Sequence, residues 1–344
     1  MSHSEPLVVI LDFGSQYTQL VARRVREAGV YCEIVSCEID ELSLKQLQPL
    51  GVILSGGPES VTVGDTARAP QAVFDLGCPV LGICYGMQTM VSQLGGAVET
   101  CTHREFGHAT LVIDNKTSLL SQVDCVDAAV VPCTSVWMSH GDQVASLPQG
   151  FEVLAHTATA PFAAIADHSR GFYGVQFHPE VTHTAQGQAI LSFFLYDICG
   201  IKSTWTPHHI IEHSIEQAKM MLGEDKVVVG LSGGVDSSVV AALLFRAVGD
   251  QLTCVFVDTG LLRLNEGDEV MALFAEHLGV NVVRVDAKKQ FMQALEGQDD
   301  PEAKRKIIGE TFITIFEQQA QLLGDVSWLG QGTIYPDVIE SAHS

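Results

Sequence analysis

The sequence has few basic residues and no long apolar run. Its 344 residues include 19 Lys and Arg against 41 Asp and Glu, a formal net charge of −22. A protein that binds nucleic acid needs a cationic surface against the phosphates, so this balance argues against a nucleic-acid partner. No apolar run reaches the roughly 18 residues of a membrane-spanning helix, and the first residues, MSHSEPLVVILDFG, contain no basic leader. We therefore expect a cytoplasmic protein with no membrane partner.

The nine cysteines contain no CxxC pair. An odd number without that spacing is typical neither of a disulfide framework nor of a zinc site, so most are expected to be small buried side chains. The segment with His208, His209 and His213 allows two interpretations, because side chains four residues apart share a helix face. It is either a metal site or an exposed helix start, and we favour the helix start.

Short apolar segments alternate with helical patterns along the whole chain. The hydrophobic fraction is 47%, and such apolar runs are typical of parallel strands that are buried on both faces. The predicted strands are LVVILDFG, GVILSGG, PVLGIC and GFYGVQF in the first part, and KVVVGL, LTCVFVD, VNVVRVD and VSWLGQG in the second. One helix is predicted in SQYTQLVARRVREAGV, and others begin at Val235, Glu266 and Pro301.

The polar segment IKSTWTPHH interrupts this alternation and marks a domain boundary. The pattern on either side predicts an α/β protein with two domains in series, each with a mostly parallel sheet flanked by helices. We assign residues 5–200 to the first domain, residues 201–207 to a linker and residues 208–344 to the second domain.

One cysteine lies in an unusual setting, within VLGICYGMQTM. Cys84 follows an apolar strand and has Gly82 and Gly86 on either side. A sharp strand-to-helix turn that exposes a nucleophile needs residues without bulky side chains at such positions. A helix that starts after Cys84 directs its N-terminal amides at the sulfur, which favours the thiolate. The segment therefore predicts a cysteine nucleophile.

A thiol nucleophile needs a base, and GVQFHPEVTH supplies one. His178 and Glu180 are two residues apart, so in an extended chain their side chains point the same way, and the carboxylate can orient the imidazole toward Cys84. In ILSGGPES, backbone amides around Gly57 are unobstructed by side chains and, with the amide of Tyr85, form a candidate oxyanion site. A plain turn is the alternative for these glycines.

Four segments together resemble the class I (triad) glutamine amidotransferase family, namely GICYGMQ, HPEVTH, ILSGGPES and SHGD. The similarity extends over nearly all of residues 5–200 and implies a flavodoxin-like fold. In that family the cysteine is acylated by the glutamine side-chain amide, ammonia leaves, and water releases glutamate. The resemblance implies a catalytic triad of Cys84, His178 and Glu180. The implied oxyanion and glutamine-binding residues are Gly57, Tyr85, Gln88, Ser139, His140, Gly141 and Asp142.

A second glycine-rich segment, LSGGVDSS, follows a predicted strand and opens a helix. Its backbone amides can therefore hold phosphates at a helix N-terminus. The segment lacks the lysine of the Walker pattern, which serves γ-phosphoryl transfer. A loop that holds pyrophosphate as a leaving group instead suits attack at the α-phosphate, that is, adenylation. An ordinary capped helix start is the alternative interpretation.

This segment resembles the pyrophosphate-binding signature of the N-type ATP pyrophosphatases, which have an adenine-nucleotide α-hydrolase-like fold. The resemblance implies that the protein uses ATP and Mg²⁺, with Asp236 as a magnesium ligand. Val257 comes from CVFVDTGLLR, at the end of the next strand, where parallel sheets bind ligands. The implied ATP-binding residues are Ser232, Gly233, Gly234, Val235, Asp236, Ser237, Ser238 and Val257.

A glutaminase followed by such a domain is the order found in the GMP synthetase family, and LDFGSQYTQLVARRVRE, FVDTGLLRLNE, DPEAKRKIIG and QGTIYPDVIES resemble segments of it. The resemblance implies that ATP adenylates the C2 oxygen of xanthosine monophosphate (XMP) and that ammonia then displaces AMP to give GMP. It also implies a homodimer. Arg305 is a candidate contact for XMP, with a solvated helix face as an equal alternative. Asp337 and Glu340 are further candidates for that site.

In that family the chain continues beyond the position of Ser344, with a further strand, a lysine-bearing lid and a dimerisation domain. We therefore expect the glutaminase domain and the first four strands of the ATP pyrophosphatase domain in this chain. Three functions remain open: a ligase that makes GMP alone or with the missing part supplied in trans, a stand-alone glutaminase, and a non-catalytic regulatory fragment.

Overall fold

The computed structural model describes residues 7–116, 118–123 and 133–333. They form two compact units that divide between Thr206 and Pro207, a position inside the segment assigned above to a linker. Each unit has a β-sheet with flanking helices, so the predicted α/β architecture is confirmed. The candidate XMP contacts Asp337 and Glu340 lie outside the described residues.

The first unit contains a single sheet of nine strands in its described part. Its strands and α-helices, in chain order, are β1 (Leu7–Asp12), α1 (Thr18–Glu27), β2 (Tyr31–Ser36), α2 (Glu41–Leu47), β3 (Gly51–Leu54), α3 (Ala72–Asp75), β4 (Val80–Ile83), α4 (Tyr85–Gln93), β5 (Ala97–Ile113), β6 (Cys133–Ser146), β7 (Glu152–His156), β8 (Ala164–Asp167), β9 (Phe172–Val175) and α5 (Gly187–Phe193). The last helix continues as a π-helical turn through Phe194–Ile198.

The strand order in this sheet is β2-β1-β3-β4-β9-β8-β7-β5-β6. The pairs from β2 to β9 are parallel, and the four predicted strands form β1, β3, β4 and β9 of this half. Every residue of β3, β4 and β9 is buried, as expected for strands that are covered by helices on both faces. The carboxyl ends of β4 and β9 therefore lie side by side, where the two predicted catalytic segments begin.

The other half of the sheet is antiparallel and was not predicted. Its largest part is the pair of long strands β5 and β6. Buried residues alternate with more exposed ones along β6, the pattern of a strand with one covered face. Such mixed strands lack the continuous apolar runs that identified the parallel ones. This pair carries the SHGD motif, Ser139 to Asp142, into the site.

The second unit has a parallel sheet of four strands in the order β12-β11-β10-β13. Its elements are α6 (Pro207–Leu222), β10 (Lys226–Leu231), α7 (Val235–Val248), β11 (Leu252–Asp258), α8 (Glu266–Met271), β12 (Asn281–Asp286), α9 (Lys288–Ala294), α10 (Pro301–Leu322) and β13 (Val326–Gly330). All four predicted strands are present, and the predicted helices begin at Val235, Glu266 and Pro301.

Helix α6 begins at Pro207 and contains the three neighbouring histidines, of which His208 and His209 are exposed. Among the described residues, no group of three or more His, Cys, Asp or Glu side chains could hold a metal ion. The start of a helix at Pro207 and the exposure of His208 and His209 agree with the predicted exposed helix start. Throughout the residues that the structure describes, no helix is both long enough and apolar enough to cross a membrane.

Candidate active site

Cys84 occupies the turn between β4 and α4 with a backbone conformation of φ 51° and ψ −107°. A positive φ is rare for a residue with a side chain, and such strain persists where the surrounding structure enforces it. The backbone amide of Cys84 donates a hydrogen bond to the Val175 carbonyl of β9, with an N···O distance of 2.8 Å. The sulfur is thus fixed at the N-terminus of α4, as the sequence predicted.

The two flanking glycines allow backbone segments to approach closely. A Cβ on Gly86 would lie 2.2 Å from the carbonyl oxygen of Leu54 in β3. A Cβ on Gly82 would lie 2.6 Å from the backbone of Met87. Both contacts involve backbone atoms, which cannot move aside as the end of a side chain can. The sequence G-x-C-x-G therefore reflects tight packing of α4 against β3 and β4.

His178 and Glu180 form a buried pair behind the nucleophile. Nδ1 of His178 lies 2.7 Å from Oε1 of Glu180 and donates to that carboxylate, which leaves Nε2 for Cys84. Both side chains are almost completely buried. The hydroxyl of Thr184 donates to the carbonyl of His178 at 2.6 Å and accepts from the amide of Trp137 at 3.0 Å. The histidine backbone is thereby attached to β6.

The surroundings of His178 favour its protonated form. Burial by itself lowers the pKa of this imidazole, but the charge of Glu180, together with the charge and hydrogen bonding of Cys84, raises the pKa well above the ordinary value of 6.5. A protonated imidazole beside Cys84 can act as the general acid that a cysteine nucleophile needs. The structure thus brings the three predicted catalytic residues together.

Two further groups contact the sulfur of Cys84. The carbonyl oxygen of Ser139 lies 3.6 Å from Sγ and can accept a hydrogen bond from the thiol. Nε2 of Gln176 lies 3.7 Å from Sγ, in position to donate a hydrogen bond to it. Ser139 belongs to the predicted site, but no motif indicated Gln176.

A cavity of about 320 Å³ opens in front of Cys84. All of the residues predicted for the oxyanion site and for glutamine binding line it, so the structure brings these scattered segments together. The lining residues are Gly57, Pro58, Glu59, Ser60, Cys84, Tyr85, Gln88, Phe106, Ser139, His140, Gly141 and Asp142. Pro58, Glu59, Ser60 and Phe106 were not predicted, although the first three directly follow Gly57 in the chain.

Polar contacts hold the walls of this cavity in place. Nε2 of Gln88 donates to the carbonyl of Asp142 at 2.7 Å and to Oε1 of Gln176 at 3.2 Å. The hydroxyl of Ser60 donates to the Asp142 carboxylate, which joins the loop after β3 to β6. A Cβ on Gly57 would lie 3.1 Å from the ring of Tyr85, so glycine lets this loop approach α4.

His140 lies in the cavity wall and is also buried. Burial is the main cause that lowers the pKa of its imidazole, and the nearby charge of His178 acts in the same direction. Its Nε2 lies 3.3 Å from Oε2 of Glu105, whose charge opposes this shift only in part. His140 is therefore neutral at pH 7, in contrast to His178.

The second predicted site is the turn between β10 and α7. The hydroxyl of Ser237 accepts from the amide of Ser232 at 3.2 Å, and the two hydroxyls lie 2.9 Å apart. The Ser238 hydroxyl donates to the Gly234 carbonyl at 2.7 Å. Gly233 adopts φ 74°, a conformation that favours glycine. Ser237 is the one buried member of the loop, and the segment from Ser232 to Asp236 is exposed.

The residues of this turn fit an anion. Its amides lie at the N-terminus of a 14-residue helix, where the positive end of the helix dipole attracts phosphate. Asp236 is an exposed carboxylate in the first turn of α7. Magnesium at nucleotide sites is commonly held by one or two carboxylates together with phosphate oxygens, so a single Asp is compatible with the predicted role.

The other described residues predicted for the second unit, Val257 and Arg305, differ in exposure. The side chain of Val257 is buried in the core beside Phe291, at the penultimate position of β11. Arg305 is exposed on α10 and forms an ion pair with Glu302, with a 2.8 Å N···O distance. That geometry is the solvated helix face considered above, and a contact of Arg305 with XMP stays a prediction.

A cavity of about 290 Å³ lies where β11 and β12 end, at the edge at which parallel sheets bind ligands. Asp258 is its most buried acid and pairs with Arg284 at 2.9 Å and Lys288 at 3.2 Å. Although burial raises the pKa of this carboxyl, these two cations hold it below its usual range. A cavity of about 460 Å³ between α10 and β13 contains none of the predicted site residues.

Comparison with protein families identifies both units. A model of the class-I glutamine amidotransferases matches residues 9–198. The chain belongs to the class-I glutamine amidotransferase family. A model described as NAD synthase matches residues 208–311. The first match begins within β1 and extends past α5, so it includes the cysteine turn and the histidine–glutamate pair. The second match contains the Ser232–Ser238 turn.

The chain is also similar to individual proteins. It is 60% identical to a glutamine-hydrolysing GMP synthase of Alkalilimnicola ehrlichii over 98% of this chain, and 60% identical to one of Pseudomonas putida over 97%. It spans 64% of the length of each of these relatives. Among solved structures, a Thermoplasma acidophilum protein, described provisionally as one of the subunits of a GMP synthase, matches with TM-score 0.50 and 28% identity. The match covers 61% of this chain and 99% of that one.

Proposed function

We propose that the chain is a glutamine-dependent ligase of the GMP synthase type. Its first unit hydrolyses glutamine, and its second unit contributes the ATP-binding part of an ATP pyrophosphatase that adenylates XMP for amination to GMP. The observation that carries the proposal is the cavity in front of Cys84, which is backed by an imidazolium–carboxylate pair and lined by every residue predicted to bind glutamine. The relatives named above support the ligase part.

The first reaction is acyl transfer at Cys84. The thiolate electron pair forms a bond to the side-chain amide carbon of glutamine, and the developing oxyanion is stabilised by the amides of Gly57 and Tyr85. His178, kept protonated by Glu180, gives its proton to the leaving nitrogen, and the C–N bond breaks to release ammonia. Water then attacks the thioester with His178 as the base, which yields glutamate and restores the thiolate.

Gln88 is suited to recognise the substrate amide. Both of its N–H groups are used within the protein, one on the Asp142 carbonyl and one on Gln176. Its carboxamide oxygen is therefore the group left to accept a hydrogen bond from the side-chain NH₂ of glutamine. The Asp142 carboxylate and neutral His140 in the same wall offer an acceptor and an adaptable partner for the amino-acid end of the ligand.

The second unit is proposed to hold ATP with its phosphates on the Ser232–Ser238 turn. The backbone amides at the start of α7 and the hydroxyls of Ser232 and Ser238 bind the phosphates, and Asp236 holds Mg²⁺. Magnesium, when bound, neutralises the phosphate oxygens and lets pyrophosphate leave. The absence of a lysine in this turn agrees with transfer of the adenylyl group rather than the γ-phosphoryl group.

The experiment is a product assay of the purified chain with glutamine or ammonium as nitrogen source, and with ATP and XMP. We expect glutamate from glutamine, and AMP and pyrophosphate that require XMP. Glutamate release without XMP-dependent formation of AMP would refute the ligase function and favour a stand-alone glutaminase. Loss of both activities in a folded protein would leave the regulatory fragment.

A further inference from the structure

Gln176 lies beside the nucleophile as a consequence of strand register. Ile83 of β4 pairs with Val175 of β9, so the next residues, Cys84 and Gln176, leave adjacent parallel strands together. Gln176 is 1% exposed. A completely buried carboxamide must find partners for its polar atoms, and those partners define its orientation.

Gln88 fixes the orientation of the Gln176 carboxamide. Nε2 of Gln88 uses one hydrogen on the Asp142 carbonyl at 2.7 Å and the other on Oε1 of Gln176 at 3.2 Å. The reverse orientation of Gln176 would place two NH₂ groups against each other, and neither could accept. Nε2 of Gln176 must therefore face the sulfur of Cys84, 3.7 Å away.

We propose that Gln176 is a further catalytic residue of the glutamine hydrolysis proposed above, with its carboxamide N–H donating a hydrogen bond to the Cys84 thiolate. This bond strengthens as the sulfur gains negative charge, because hydrogen bonds to ionised acceptors are stronger than those between neutral groups. The carbonyl of Ser139, 3.6 Å from the same sulfur, only accepts and so favours the protonated thiol. Gln176 opposes that effect.

The same hydrogen bond acts in both halves of the reaction. In acylation, the sulfur lone pair forms the S–C bond while the C–N bond breaks, so the donor holds the thiolate before attack. In hydrolysis, water adds to the thioester carbon and the S–C bond breaks, which returns the electron pair to Sγ. The N–H of Gln176 then stabilises the departing thiolate.

The test measures the thiolate directly and needs no glutamine. The rate at which iodoacetamide alkylates Cys84 is followed against pH by peptide mass spectrometry, which separates Cys84 from the other cysteines. Gln176→Met keeps a similar shape without the donor, and Gln176→Glu replaces the donor with a carboxylate. We expect alkylation at pH 7 to slow about tenfold in Gln176→Met and further in Gln176→Glu, with the pH midpoint moved upward.

The matched control is Gln149→Glu, which adds the same charge at an exposed turn between β6 and β7. Its alkylation profile is expected to equal that of the parent protein. An unchanged pH midpoint in folded Gln176→Met would overturn the proposal, whatever Gln176→Glu does. If the parent and the variants show the expected alkylation profiles but the parent releases no glutamate, the proposed function and the catalytic role are refuted, and only the Gln176–Cys84 hydrogen bond is supported.

Discussion

The two glycine-rich turns occupy the same position between a strand and a helix, but one is enclosed and the other is exposed. Each follows a buried parallel strand and opens a helix, at Cys84 before α4 and at Ser232–Ser238 before α7. The first is enclosed by β6, β9 and the loop after β3, and its polar side chains contact each other before any ligand arrives. The second is exposed and is held by its own hydroxyls.

The difference reflects the two kinds of chemistry proposed. A nucleophile must be aligned with its acid–base partner to within a fraction of an ångström, so a packed environment positions it. A phosphate cradle consists of backbone amides that already point outward, and the ligand supplies the missing charge. Enclosure at Cys84 and exposure at Ser232 are therefore both expected for the chemistry proposed.

The largest expected effect is that of Cys84→Ala. Removal of the nucleophile should lower glutamine-dependent glutamate release by about a thousandfold or more, because water cannot replace the thiolate in the same geometry. Cys32→Ala, at another buried cysteine of the first unit, is the matched control and should retain activity. Glutamate release by Cys84→Ala at a rate near that of the parent would contradict the assignment.

Glu180→Gln should lower the rate of glutamate release about a hundredfold, within the usual range for general acid–base catalysis. The Glu180 charge raises the pKa of His178, so its loss lowers that pKa. The imidazolium then loses its proton at lower pH. A pH–rate profile should show its basic limb displaced to lower pH, and a limb that stays in place or moves upward would refute this role of Glu180.

A pair of glycine substitutions compares the packing of the two turns. Gly86→Ala should reduce the free energy of unfolding by about 3 kcal/mol, because the new methyl group meets the Leu54 carbonyl. At Gly234 the nearest atom to a new Cβ is the Ser232 hydroxyl at 3.3 Å, and φ is −83°. Gly234→Ala should therefore change the free energy of unfolding by less than about 1 kcal/mol.

Urea denaturation of both variants and the parent measures these changes. Equal destabilisation by the two substitutions would show that the turns do not differ in enclosure. The comparison requires no enzymatic activity, so it tests the packing independently of the proposed function.

The smallest effect is expected at the second turn. Asp236→Asn should raise the ATP concentration needed for AMP formation about tenfold, since one carboxylate ligand of the proposed Mg²⁺ is lost at an exposed site. Asp250→Asn, after the end of α7, is the control for loss of one exposed carboxylate. Magnesium titration with both variants measures the effect. The same ATP requirement in Asp236→Asn and in the parent would remove Asp236 from the proposed site.

The sequence predicted the structural features that depend on residues close together in the chain. Continuous apolar runs identified β1, β3, β4, β9, β10 and β11, because strands buried on both faces need such runs. The strands β12 and β13 were also predicted, although none of their residues is buried. Glycines on both sides of Cys84 and the two-residue spacing of His178 and Glu180 predicted which side chains meet. Each of these signals depends on steric limits within a few residues.

Longer-range features were not visible in the sequence. Strand β6 alternates between buried and more exposed residues and carries polar residues that line the cavity, so its sequence resembles that of a surface loop. Gln176 was missed because its role comes from the register of β9 beside β4 and from an amide contact with Gln88. Its position two residues before His178 was a signal that could have identified it.

The most direct test of the central claim is to trap the acyl intermediate. The chain is mixed with glutamine, quenched in acid within milliseconds to seconds, and digested for peptide mass spectrometry. We expect a γ-glutamyl thioester on the peptide that contains Cys84, absent from Cys84→Ala. Glutamate release with Cys84 unmodified, or with the acyl group on another residue, would contradict the account.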